Sequence, residues 1–303
     1  SWCPSMAARW LRSLAAAPLM LGSLLLAAPQ PARALVPYVV VPSPNSLEAA
    51  GIGIAQAATR LLRMGQAEEA AQLAALTVQL IPNDPRGWVL LAEAQLRSGK
   101  DKQAGQALAR ARSLDPRNPG ILFAQGSLAL KANEPARGAE LIRQGLKLDD
   151  RNAGAYFDLG NAHIMMGRSG DSLAYFERAA ALRKDFWEAI NNQALVLYEQ
   201  GRTPEAIQRW RRVLTISPKA SEPMLALAAA LNAQSPGNTE SVQLAHDALA
   251  TEPNYVLESF QKEQLWGSRL RASTATLLAR PALKADVERA QANAGGSSDA
   301  GDP

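Results

Sequence analysis

From residue 51 to residue 218, apolar and small residues fall at spacings of three and four, and the whole arrangement recurs every 34 residues. Trp88, Leu91, Ala92 and Gln95 share one helical face. Gly99 interrupts the pattern, and Ala104, Leu108 and Ala111 form the stripe of a second helix that ends before Asp115-Pro116. Three registers hold this period. Pro82, Pro116 and Pro218 form one, with Asp150 and Lys184 at the skipped steps. Gly65, Gly99, Gly167 and Gly201 form another, with Asn133 in the missing slot, and Asn is the usual substitute where a helix ends in a left-handed residue. Ala70, Ala104 and Ala206 form the third, with Gly138 and Ser172 between them. Each unit therefore predicts two helices that approach closely at the small residue. A single unit cannot cover its own apolar face, so the units must stack into a solenoid.

Five such units span 51–218. A sixth, over 221–253, carries a one-residue insertion around Ser235-Pro236-Gly237-Asn238. The third unit departs most from the pattern, with Gln125, Ala129, Gly138, Gly145 and Asp150 at framework positions, and is expected to be the loosest. Beyond Pro253, Phe260, Leu265, Trp266, Leu270 and Leu277 predict a helical stretch over roughly 255–279. It lies in a capping region, 254–290, whose Glu258, Lys262, Glu263, Arg269 and Arg271 suit a polar outer face. Residues 291–303 have the composition of a disordered tail. Residues 35–50 read as a linker and the start of the first helix, extended over 35–46 because Pro37, Pro42 and Pro44 interrupt it.

The segment 1–34 has a different logic. From Met6, the expected start, a short basic stretch (Arg9, Arg12) precedes an apolar run from Leu14 to Ala28. Ala32-Arg33-Ala34 then forms a small-x-small site. This is the layout of a cleavable export signal, and the run is too short for the roughly 20 residues that cross a bilayer. An uncleaved anchor is the alternative. The net charge of +4 changes meaning accordingly: three of the 32 basic residues and none of the 28 acidic ones lie in 1–34, which leaves +1 for 35–303. Nucleic acid is thereby disfavoured as a partner. The single cysteine, Cys3, precedes the expected start and excludes a disulfide framework.

The repeat resembles the tetratricopeptide repeat family. Tyr156, Leu159-Gly160, Phe176 and Ala179 fit its pattern in the fourth unit; Ile190, Ala194, Leu197, Ala206, Trp210 and Pro218 fit it in the fifth. The resemblance implies an all-α fold, a right-handed superhelical solenoid of antiparallel helix pairs with a C-terminal capping helix. It further implies that the first helix of each pair lines a concave groove that binds a protein or peptide segment. The candidate groove residues are then Phe123, Ser127, Phe157, Asp158, Asn161, Asn191, Asn192 and Tyr198. Asn161 and Asn192 stand where family members hold a peptide backbone, and an amide can donate and accept together. Relatives that capture a C-terminal carboxylate use Lys and Arg where this chain has Phe157, Glu222 and Ala226, so that ligand is disfavoured. The chain's own Val39-Val40-Val41 is another candidate occupant of the groove.

No catalytic chemistry competes with this reading. His163 and His246 lie in different units, and Gly51-Ile52-Gly53 lacks a preceding strand and a third glycine. Phosphate-loop, nucleophile-elbow and zinc-helix motifs are absent, and Met165-Met166 reads as core filling. No enzyme, metal or cofactor is expected. The function expected is a non-catalytic exported scaffold, in the periplasm or thylakoid lumen. The alternative is an assembly factor for a membrane, photosynthetic complex, bound to the membrane only if the N-terminal segment is retained. Leu35-Val36-Pro37-Tyr38 and Lys262-Glu263-Gln264-Leu265-Trp266-Gly267 look similar to exported cyanobacterial repeat proteins.

Overall fold

The structure is a computed structural model that describes residues 42–295. The expected export signal over 1–34, the Val39-Val40-Val41 segment and most of the expected tail lie outside the described residues. Six consecutive helix pairs come first: α1 (Pro44–Arg63) with α2 (Ala67–Leu80), α3 (Pro85–Arg97) with α4 (Asp101–Leu114), α5 (Pro119–Lys131) with α6 (Pro135–Leu146), α7 (Ala153–Met165) with α8 (Ser169–Leu182), α9 (Trp187–Glu199) with α10 (Thr203–Ile216), and α11 (Ser221–Gln234) with α12 (Thr239–Thr251). Then follow α13 (Glu258–Glu263), α14 (Ser268–Leu278) and α15 (Lys284–Asn293), with short 3-10 turns at Pro253–Val256 and Pro281–Leu283. The helices belong to one compact unit that begins at Ser43.

Local chemistry sets the helix boundaries. Asp84, Asn118 and Asn152, themselves one repeat apart, cap α3, α5 and α7; each side chain accepts a backbone N–H at 2.9 Å, from Arg86, Gly120 and Ala155 respectively. Ser43 caps α1 at 3.2 Å. Pro44 then occupies the first turn, where a missing N–H costs nothing. This corrects the expectation of extended chain through residue 46. At the far ends, Gly65, Gly99, Gly167 and Gly201 have φ of 73–77°, and Asn133 fills the same left-handed slot at 59°. The following amides bond back across the turn, Lys100 N–H to the Gln95 carbonyl at 2.8 Å and Arg202 N–H to Leu197 at 2.9 Å. Aromatic residues one turn into α3 and α7 secure the preceding loops: Trp88 donates to the Pro82 carbonyl at 2.8 Å and Tyr156 to that of Asp150 at 3.0 Å.

Each helix packs on its partner, the second helix of each of the first five pairs packs on the first helix of the next, and first helices meet directly at α1 with α3 and α5 with α7. They therefore line one inner face. In the sixth pair Ser241 is fully buried in the small-residue position, one residue later than the period demands, which places the insertion in the loop before it.

The C-terminal region differs from the expected capping helix. It is three helices rather than one, and helix continues through Asn293, into the stretch expected to be disordered. More consequentially, α14 does not simply extend the stack. It folds back to pack on α11 and α9, the first helices of the last two pairs. Leu270, Leu277 and Trp266 join Tyr198, Trp210 and Leu225 in the largest hydrophobic cluster among the described residues.

Candidate functional site

The inner face divides into an open stretch and a covered one. On the open stretch, α5 contributes Phe123 and Ser127, and α7 contributes Phe157, Asp158 and Asn161. From α9 comes Asn192. A polar seam runs across these helices: the Ser127 hydroxyl donates to Asp158, and Asn192 Nδ2 donates to Asn161 Oδ1 at 2.9 Å. Asn192 Oδ1 accepts from Asn191 at 3.3 Å, and Asn191 Oδ1 accepts the Trp210 indole N–H at 3.0 Å. The amides thus form a chain from the core to the surface. At its outer end the Asn161 Nδ2 donor has no partner among the described residues.

The remaining candidates sort by burial. Asn191 is 1% exposed and Tyr198 2% exposed; both are interior residues, which corrects their expected place on the groove surface. Tyr198 lies beneath α14, where its hydroxyl pairs with Ser273 at 2.7 Å and its ring packs on Trp210. Phe123 and Phe157 are half-buried: Phe157 packs against Phe176 and Phe186, with ring centroids 5.8 and 4.9 Å away, and Phe123 lies over Gly145. Each packs against a core cluster.

Burial raises the Asp158 carboxyl above its ordinary range, while the Ser127 hydrogen bond pulls it down less strongly. At the N-terminal end of the same face, a cleft of about 310 Å³ opens between α1 and α3. Ile52, Ile81 and Leu90 line it together with Gln56, Thr59 and Arg86. Ile52 is 39% exposed there.

The covered stretch was not foreseen. Trp266 donates its indole N–H to Glu222 at 2.9 Å, so Glu222 serves the chain's own C-terminal segment. Burial raises the Glu222 carboxyl, against the hydrogen bonds of Trp266, Asn191 and Tyr255. Ala226 is fully buried. Glu199, at the end of α9, accepts the first amides of α14, from Arg269 at 3.1 Å and Leu270 at 2.9 Å. A cap supplied by a residue some seventy positions earlier leaves no local sequence signal. The nearest hint is Trp266-Gly267, an aromatic and a glycine where a polar cap would be unremarkable.

Both histidines are engaged within the chain. His163 is 3% exposed and its Nε2 accepts from Arg143 at 3.3 Å, so the ring proton sits on Nδ1. His246 binds Asp286 at 2.7 Å and fastens α15 to α12. Among the described residues no three His, Cys, Asp or Glu side chains cluster as a metal site, and no helix is long and apolar enough to cross a membrane.

Comparison with known proteins follows the same lines. Models of the tetratricopeptide repeat match residues 61–122 and, in two overlapping placements, 123–185 and 164–221. No curated protein sequence matches the chain significantly. Among solved structures, the APC/C hetero-tetramer Cut9–Hcn1 superimposes with a TM-score of 0.60 at 16% identity, over 82% of this chain and 42% of that one. The pilF protein of Pseudomonas aeruginosa gives 0.52 at 18% identity, over 82% and 99%. MamA (41-end) of Desulfovibrio magneticus RS-1 gives 0.52 at 17% identity, over 58% and 98%. At these identities the structures speak for the fold alone. With six stacked helix pairs, left-handed caps recurring at one period, and repeat models covering more than half its length, the chain belongs to the tetratricopeptide repeat family.

Proposed function

We propose that the protein is a non-catalytic scaffold that binds an extended protein segment on the open part of its inner face, from the cleft at α1 and α3 to the seam at α7 and α9. The observation that carries this reading is the Asn161–Asn192 pair. These amides are held in place from below by Asn191 and Trp210, and one donor is left free at the surface. A backbone peptide group offers a carbonyl that matches that donor, and positioning by neighbours lowers the entropy lost on binding. The neighbouring Phe123 and Phe157 supply apolar surface for a side chain. Because α14 covers α9 and α11, the bound segment must end or turn away near Asn192.

The test is crosslinking and mass spectrometry in the native host, with wild type and an Asn161→Ala/Asn192→Ala variant. Crosslinks to a partner segment at α5 and α7 that vanish in the variant support the reading; an unchanged crosslink map refutes it. Export belongs to the same proposal, supported by the layout of residues 6–34. A mature protein beginning at Leu35 is expected. Retention of residues 6–34 in the membrane fraction would favour the assembly factor of a membrane complex instead.

A further inference from the structure

We infer that the segment bound on the inner face carries a basic side chain, Lys or Arg, seated on Asp158. The inference rests on the reading of that face as a peptide groove and names the chemistry of its ligand.

Asp158 stands on α7, three residues before Asn161 and thus one helical turn away on the same face. Its only hydrogen bond among the described residues comes from the neutral Ser127 hydroxyl, and no Lys, Arg or His nitrogen lies within ion-pair distance. The basic residue nearest in sequence on α5, Lys131, is engaged by Asp101 at 2.8 Å, and Arg143 on α6 is turned to His163. A half-buried carboxylate that loses water without gaining a counter-ion is a cost to the folded protein, and a ligand cation offsets it. Beyond it, where α14 covers the face, Glu188 lies near enough to Glu222 to raise its carboxyl, so the charge there is acidic as well. Cations outnumber acids elsewhere, in a cleft of about 300 Å³ bounded by α8, α9 and α10 and lined by Lys184, Arg209 and Arg212 with Glu177. Two separated regions of opposite sign draw a basic segment to the inner face and away from that cleft.

The experiment is selection of a phage-displayed random peptide library on the immobilised full chain, followed by fluorescence anisotropy with the selected peptides. Three proteins are compared: wild type, Asp158→Asn, and Asn161→Ala/Asn192→Ala. Asn has the shape of Asp and keeps an acceptor for Ser127, and circular dichroism verifies the fold. Wild type is expected to select peptides with Lys or Arg at one fixed position. Replacing that residue in the peptide by norleucine is expected to weaken binding to wild type by ~10-fold or more, the scale of a hydrogen bond to a charged group, and to change binding to Asp158→Asn little. Selected peptides without a fixed basic position, or an equal loss on both proteins, overturn the inference while leaving the groove intact. Selection of no peptide, or of the same peptides by the Asn161→Ala/Asn192→Ala protein, refutes the groove itself and the inference with it.

Discussion

The docking of α14 depends on a contact that two substitutions should break in the same way. Glu199 accepts the amides of Arg269 and Leu270, the first donors of a helix that has no cap of its own. Removing a side-chain cap costs ~1 kcal/mol in a range of about 0.5–2, and a carboxylate at a helix N-terminus adds about 0.3–1. Glu199→Ala should therefore destabilise α14 by about 1–2 kcal/mol. Gly267 has φ −74° and ψ 170°, an extended conformation open to any residue, so its backbone does not require glycine. Space does: a Cβ at position 267 would lie 2.2 Å from the Glu199 carboxyl carbon. Gly267→Ala should thus expel Glu199 and cost about the same 1–2 kcal/mol. With Glu199 already removed, Gly267→Ala should cost nothing, and even gain ~0.5 kcal/mol by restricting the unfolded chain. The double variant is then no worse than either single one, a coupling of about 1–2 kcal/mol. Hydrogen exchange of peptides covering 266–278 reads this directly: each single substitution should speed exchange of α14 by roughly 5- to 30-fold, and the second should add little. Effects that add within ~0.5 kcal/mol would show that the contact does not hold α14.

Three further outcomes are expected. Gly201→Val forces a β-branched residue into φ +77° beside Arg269 and should cost ~1 kcal/mol or more, visible as a lowered melting temperature; an unchanged melt would put the helix end elsewhere. Asn191→Leu strands the buried Trp210 N–H and should cost about 1–3 kcal/mol, whereas exposed-end Asn161→Ala should stay within ~0.5; urea unfolding of the two separates core from surface, and equal losses would contradict the chain of amides. Burial, with Arg143 and Arg168 adding to it and Asp171 opposing, holds His163 below its ordinary range. The unfolded chain then binds the proton more readily, so stability is full above about pH 6.5 and falls as pH drops through that value. His163→Gln should flatten the fall in urea midpoint between pH 8 and pH 5.5, and parallel curves for the two proteins would refute the assignment.

Much of the solenoid is legible in the chain because its contacts are local. The glycine register, with Asn133 in the vacant slot, is a statement about backbone sterics that holds whatever surrounds it, and all five positions take positive φ. Ala104 and Ala206 are buried because helices of one pair must approach at the same height in each unit. The caps Asp84, Asn118 and Asn152 carry the same period and add a local signal that the apolar pattern does not need.

The candidate site is legible only in part. Helical position places Ser127, Asp158, Asn161 and Asn192 on the inner face, yet says nothing of which side chain turns inward. Asn191 and Asn192 are adjacent and chemically identical; one enters the core because Trp210, 19 residues later, presents an indole N–H there. Tyr198 vanishes beneath α14 for a reason more distant still, since Ser273 and Glu199's partners lie about seventy residues away. Periodicity reports contacts within a unit and between neighbours, because these repeat at fixed separation along the chain. The fold-back of α14 over the last two pairs happens once, between surfaces far apart in sequence. The sequence by itself therefore determined the helix pairs and their stacking, and the tertiary structure alone decided where the inner face stays open.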